Sequence, residues 1–185
     1  TCKKTGVEIS ALAYYPNTMD GDFQKREAAI RHLKKVIAFS EKLGVGMVTT
    51  FVGRDQTKSV EENLEAFGRI WPPIIRYAEE HGVRIAIENC PMLFGREQWP
   101  GGHNLFTSPA LWRKMFDMIP SRNFGINYDP SHFVWQMMDY IQPIYEFRER
   151  IFHVHYKDIK VYPQKLKDVG IMAYPLEYIC LLYTS

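Results

Sequence analysis

The eight residues IFHVHYKD, Ile151 to Asp158, decide how the chain is read. Isoleucine, phenylalanine and valine around two histidines describe a short, largely buried strand, and a strand alternates its side chains between two faces. His153 and His155 are therefore expected on one face with Ile151, and Phe152, Val154 and Tyr156 on the other. A lone histidine such as His153 is commonly a core residue whose polar tip needs one partner. Lys157–Asp158 reads equally well as a solvated loop pair. Two imidazoles on one face, followed at once by charge, ask for more than packing.

Upstream, four further apolar segments alternate with helical patterns. VEISALAYYPN starts as a strand and breaks at Pro16–Asn17. Residues 23–43 carry Ile30, Leu33, Val36, Ile37 and Phe39 at helical spacing, closed by Gly44 and Gly46. MVTTFVG is a β-branched strand. Ser59 and Glu62 form a capping box for a helix whose apolar stripe is Leu64, Phe67, Ile70, Ile74 and Ile75. Pro72–Pro73 must kink or split that helix. VRIAIEN is a strand, and Ser108–Pro109 is an N-cap and N1 pair for ALWRKMFDMI. FGINYD is a strand, and YIQPIYEFRER is helical.

Five strands separated by helices, apolar on both faces, imply a parallel sheet in an α/β fold. The sheet is either doubly wound or part of a (β/α)₈ barrel. No glycine-rich phosphate turn follows any strand, as a nucleotide-binding open sheet would require. Polar residues instead close successive strands at their C-terminal ends, where a barrel builds its active site. Glu88 ends one strand, sharing a face with Ala86. Asp129 ends the next, sharing a face with Gly125 and Asn127, and His132 follows it. His155 ends the third. Asp129 alone could be the N-cap of a helix; Glu88, followed by NCP, has no such role. Two carboxylates and an imidazole converging at one mouth are explained by a shared divalent cation, with mixed oxygen and nitrogen donors suiting Mn²⁺, Co²⁺, Zn²⁺ or Mg²⁺.

Composition narrows the function classes. The 185 residues are 46% hydrophobic and 24% charged with a net charge of +2, a balance of one folded domain rather than a disordered chain. The charges are interspersed, so no basic footprint for nucleic acid or a membrane surface is present. No run reaches the roughly 20 apolar residues of a membrane span. The three cysteines are far apart, which argues against a disulfide framework or cysteine zinc site and for a reducing, cytoplasmic setting.

The segments IAIENCPM, NFGINYDPSH and IFHVHYKD, with ISALAYYPN and TFVGRD, resemble the sugar phosphate isomerase/epimerase family of the xylose isomerase-like TIM-barrel superfamily. The resemblance runs from about Gly6 to about Tyr178. It implies a metal held by a Glu, an Asp, a His and a second Glu from four consecutive strands. Carried over, the first three are Glu88, Asp129 and His155, and Glu88 also moves the proton beside the substrate carbonyl. His132 contacts substrate oxygen, and Lys157 and Asp158 meet substrate hydroxyls at the rim. His153 lies one layer deeper and supports His155. The implied partner is a small sugar, with a homo-oligomer left open.

The resemblance also marks departures. It numbers the five strands as the third to seventh of a barrel, and a whole barrel takes about 250 residues. Residues 1–178 are thus expected to be a partial barrel, inactive alone, whose second ligand glutamate lies beyond Ser185. Residues 179–185 do not read as family sequence. Ketose 3-epimerases of the family carry another Glu six residues after the ligand Glu, where this chain has Phe94. The loop offers Arg96, Glu97, Trp99 and His103 instead, with Trp99 either a sugar platform or a packing residue. The expected activity is therefore a metal-dependent isomerase or epimerase for a ketose, keto-inositol or 3-keto-glycoside. A keto-sugar or inosose dehydratase and a metal-free binding barrel are the alternatives. An endonuclease IV-type repair enzyme fits less well, because YYPN and TFVG lack the histidines that such sites need.

Overall fold

The structure, a computed structural model, describes residues 2–92, 102–171 and 181–184. A one-turn helix α1 (Cys2–Thr5) leads to β1 (Leu12–Ala13), the long helix α2 (Phe23–Leu43) and β2 (Met47–Thr50). Helices α3 (Val60–Ile70) and α4 (Pro72–Glu80) follow, then β3 (Arg84–Glu88), α5 (Pro109–Met118) and β4 (Phe124–Tyr128). The short helices α6 (Ser131–Trp135) and α7 (Gln142–Glu146) precede β5 (Ile151–Val154). β6 (Asp158–Val161), α8 (Pro163–Val169) and β7 (Leu181–Thr184) complete the order.

Strands β1 to β5 form one parallel sheet in chain order, β1-β2-β3-β4-β5. A doubly wound sheet reverses its strand order at a switch point. This one does not, so the sheet is five successive staves of a (β/α)₈ barrel. β6 and β7 form a separate antiparallel pair that the sequence pattern does not announce. No helix among the described residues is long and apolar enough to cross a membrane.

Capping explains several helix boundaries. Asp22 accepts from the backbone of Gln24 and Lys25 to start α2, and Gly44, at φ 69°, ends it in the left-handed conformation. The Ser59–Glu62 capping box is complete. The two prolines split the following helix at Trp71, where they occupy the first positions of α4 and lose no helical hydrogen bond. Ser108 stands at the N-cap of α5, but its side chain makes no capping hydrogen bond. The helix expected over YIQPIYEFRER shrinks to Gln142–Glu146. Its start is fixed instead by Asp139, which accepts from Ile141 and Gln142.

The core lies between sheet and helices. Leu33 and Ile37 of α2, Phe67 of α3 and Ile74 and Ile75 of α4 pack with Ile85, Ile87, Phe124 and Ile126. Trp112 of α5 stacks on Phe106 and Phe133 with ring centroids 5.3 and 5.4 Å away, and its indole donates to the Phe106 carbonyl. Phe39, expected in the α2 stripe, is 59% exposed. Lys42 rests over its ring instead.

The opposite sheet face is the barrel interior. Thr49, Ala86 and Gly125 sit side by side there, with Glu88 and Asn127 one step higher. The small residues are required: a side chain at Gly125 would run into the Arg150 carbonyl and the Phe152 ring. The strict alternation expected for IFHVHY does not hold. Ile126 faces Ile151, yet the next residue, Asn127, faces His153, so Phe152 is an extra residue at a bulge. Ile151 therefore packs on the helix-side core, while Phe152 turns towards Gly125.

Candidate metal centre

Each acid is placed by its strand and then fixed by neighbouring amides. The side chain of Asn104 donates to the carbonyls of Glu88 and Cys90, pinning the end of β3. Asn89 reaches across to the next strand, donating to the Asp129 carbonyl at 2.9 Å and accepting from its N–H at 2.8 Å. His155 lies just past the end of β5, but its N–H still bonds to the Tyr128 carbonyl.

One ligand atom from each of Glu88, Asp129 and His132 lies within 4.8 Å of the others, and all three residues are buried. His132 Nε2 is 3.3 Å from Asp129 Oδ2 and 3.7 Å from Glu88 Oε1. His155 joins from the other side, with Nδ1 3.3 Å from Glu88 Oε1. Lys157 Nζ lies 2.6 Å from Asp129 Oδ2 and 3.4 Å from His132 Nε2. The structure thus brings together Glu88, Asp129, His132, His155 and Lys157. The side chain of Asp158 and all of Trp99 fall outside the described residues. His103 is elsewhere, bonded to Gln56 in an open polar pocket of about 450 Å³ that Asp20, Asp22 and Asp55 also line.

Both acids stay ionised for a physical reason. Burial pushes the Glu88 carboxyl up, but hydrogen bonds from His132 and His155, and their charge, outweigh it and hold it at about 2. That is far below the near-neutral value that suits a general base. Burial likewise raises Asp129, and bonds from His132, Lys157 and Ser131 bring it below the usual carboxylate range. Burial lowers His132, but its bonds to Asp129, Cys90 and Glu88 raise it to about 10. The bond to Glu88, ahead of burial, raises His155. Burial and the neighbouring His155 lower His153.

The two oxygens of Asp129 do different work. Oδ1 accepts from the N–H and hydroxyl of Ser131, at 3.0 and 2.5 Å, which is the helix-start role open to any Asp there. Oδ2 is wholly buried and receives no aligned hydrogen bond, although the Lys157 ammonium lies close enough for an ion pair. Such an oxygen, beside a second carboxylate and the His132 imidazole, fits a divalent cation.

Three contributors escape the sequence reading. Tyr15 donates to Thr49, and its hydroxyl, raised first by burial, also interacts with Glu88 and Asn127. Asn127 bonds to both His153 and His155. Cys90, buried and unpaired in any disulfide, interacts with His132. The Gly125–Asn127–Asp129 alternation already placed Asn127 on the inner face, which was the signal available for it.

The profile of the xylose isomerase-like TIM barrel family matches residues 1–170. No curated protein sequence matches the chain. Among solved structures, it is similar to the probable 3-DHS dehydratase AsbF from Bacillus anthracis. That match has 18% identity and a TM-score of 0.70 over 98% of this chain and 63% of that one. It is similar to the 3-keto-D-glucoside 4-epimerase YcjR from E. coli at 14% identity and TM-score 0.67, over 83% of this chain and 60% of that one. It also resembles IolI protein with a bound zinc atom, at 19% identity and TM-score 0.66, over 88% and 54% of the two chains. The chain therefore spans between about half and two thirds of these relatives' length. At such identities the likeness establishes shared architecture alone, that of a partial barrel. Taken with the matched profile, the chain belongs to the xylose isomerase-like TIM barrel family.

Proposed function

We propose that the chain forms the metal-binding part of a sugar isomerase or epimerase that moves a proton on a carbon next to a carbonyl. The buried Asp129 Oδ2, which receives no aligned hydrogen bond and clusters with Glu88 and His132, carries the reading. Glu88 and Asp129 would hold a divalent cation through oxygen, and His155 through Nδ1, the nitrogen it turns to Glu88. The cation supplies Lewis acidity towards a substrate carbonyl. That a relative of this architecture binds zinc supports the assignment.

His132 is assigned to substrate although it sits within the same cluster. Its Nε2 lies 3.3 Å from Asp129 and 3.7 Å from Glu88, carboxylates that can only accept, so the imidazole carries a hydrogen on that atom, in line with its raised basicity. It offers a substrate oxygen a hydrogen bond rather than offering a metal a lone pair. Glu88 accepts the proton from carbon and returns it. Replacing the His132 contact by a substrate oxygen would raise its basicity from the low value it has here. Lys157 meets substrate hydroxyls, a role the family resemblance extends to Asp158, and Trp99 is kept from the loop sequence as a sugar platform. The substrate class is a ketose, keto-inositol or 3-keto-glycoside, handled as a free small molecule. A dehydratase would share the first step, with Lys157, paired with Asp129, as the proposed proton donor to a departing hydroxyl.

The test strips the protein with chelator, counts bound Mn²⁺ or Zn²⁺, and follows wash-in of solvent deuterium beside the carbonyl of each candidate sugar. Roughly one ion per chain is expected, with wash-in lost on chelation and in Glu88→Gln. Undiminished wash-in without metal, or cleavage of abasic DNA with no exchange into any sugar, overturns the proposal.

A further inference from the structure

The bulge in β5 places three polar side chains in one line. Asn127 faces His153 across the β4–β5 pairing. Its Oδ1 is 3.1 Å from His153 Nδ1, and its Nδ2 is 3.1 Å from His155 Nε2. His153 Nε2 in turn meets the Ser10 hydroxyl at 3.2 Å, and His155 Nδ1 meets Glu88. Ser10, His153, Asn127, His155 and Glu88 are thus joined end to end by side-chain contacts.

Donor and acceptor roles along this line are linked. A neutral imidazole has one N–H and one lone pair, and a carboxamide has one donating end and one accepting end. With the amide as it stands, His153 donates from Nδ1 and His155 accepts at Nε2. The single hydrogen of a neutral His155 is then on Nδ1, the nitrogen that would have to ligate a cation. Ligation needs that hydrogen on Nε2, where the Asn127 amino group now points. Turning the amide by half a revolution, which exchanges only its own oxygen and nitrogen, relieves the conflict, because its two contacts are equally long.

We infer that Asn127 is a positioning residue that couples the tautomers of His153 and His155, so that preparing His155 for metal also switches His153. After the turn, Oδ1 accepts from His155 Nε2–H and the amino group donates to His153 Nδ1. His153 then carries its hydrogen on Nε2 and donates to Ser10 Oγ. Each ring keeps one hydrogen throughout: one leaves Nδ1 to solvent as another is taken from solvent at Nε2. This role rests on His155 being a ligand, and ligand partners of this kind typically alter metal affinity by about 10–100-fold.

His153 is the reporter, since it offers no proposed ligand atom and its hydrogen-bonded link to His155 runs through the amide; the direct contact of the two rings, edge to face at 5.9 Å, passes no hydrogen. The experiment records ring ¹⁵N spectra of histidine-labelled protein, metal-free and with Zn²⁺. In the metal-free protein both rings should show a pyrrole-type Nδ1 and a pyridine-type Nε2. On zinc binding, His153 should exchange the two, and His155 Nε2 should become pyrrole-type. A second arm needs no metal: Asn127→Asp, which accepts at both ends, should convert His155 Nε2 to the pyrrole type while leaving His153 Nδ1 protonated. Zinc bound with an unchanged His153 overturns the coupling alone. No zinc binding at all overturns the metal site and this role with it. If Asn127→Asp does not fold, the wild-type zinc spectra decide.

Discussion

Replacing Asp129 by Asn separates the two tasks of its carboxylate. Asn retains an oxygen for Ser131, so the start of α6 survives. It turns an amino group towards the Lys157 ammonium and His132, which now face a donor. His132 is buried, and a hydrogen bond involving a charged group is worth about 1.5–3 kcal/mol. Lys157 is about a third exposed and can swing into water, so its pair counts as a surface pair of about 0–1 kcal/mol. The metal-free variant should therefore lose about 1.5–4 kcal/mol, the sum of those two ranges. The larger contrast appears with metal. Zinc at a hundredfold excess over its Kd stabilises a binding protein by about 2.7 kcal/mol. At about 2–4 °C per kcal/mol for a chain of this size, the wild type should gain about 5–11 °C in Tm. Asp129→Asn should gain nothing. Thermal melts of both proteins in chelator and in zinc provide the assay. A zinc-induced shift in Asp129→Asn equal to that of the wild type would refute the reasoning, because the orphaned Oδ2 would not then be a ligand.

His155→Ala should lower zinc affinity sharply, whereas His153→Ala should cost about 1–2 kcal/mol of stability for two lost hydrogen bonds; calorimetric zinc titration of both variants checks this, and equal affinity losses would void the ligand assignment. Gly125→Ala should destabilise by about 1–3 kcal/mol, since the added methyl meets a backbone carbonyl as well as a flexible ring; an unchanged urea midpoint would contradict the packing described. Kept in chelator, the protein should lose stability as pH rises. His132, raised to about 10 in the fold against about 6.5 unfolded, stabilises fully below the lower value, and its contribution fades as pH climbs through the higher one. Denaturation midpoints between those limits test it, and a His132→Gln variant should show a weaker trend, the remainder coming from the raised His155.

The parallel staves were readable because each carries an apolar run with an abrupt polar end, and those ends named Glu88, Asp129, His132, His155 and Lys157. What strand period cannot register is a bulge: one extra residue, Phe152, moved Ile151 to the other face while leaving both histidines inside. Helix period misjudged Phe39 because a long stripe has edges, and the edge is covered here by Lys42 rather than by the sheet. The roles of Asn127 and Asn89 were hidden for a different reason. An amide in a strand has no chemistry of its own to advertise, and its value lies in what stands on the neighbouring strand. Tyr15 likewise acts through a contact with residues far along the chain, which no local pattern encodes.

Asn89 makes the two acids a single mechanical unit. The last rung of the β3–β4 ladder pairs Glu88 with Asn127, so Asp129 sits beyond regular pairing, where a chain ordinarily frays. The Asn89 side chain grips both the N–H and the carbonyl of Asp129 as another peptide group would. Loops carrying α5 and α6 can then breathe without altering the spacing between the carboxylates. The Asp129 amide should exchange with solvent deuterium as slowly as those inside the sheet, an island of protection at the rim of the mouth. The Asn89 amide thus ties the two acids together independently of the loops around them.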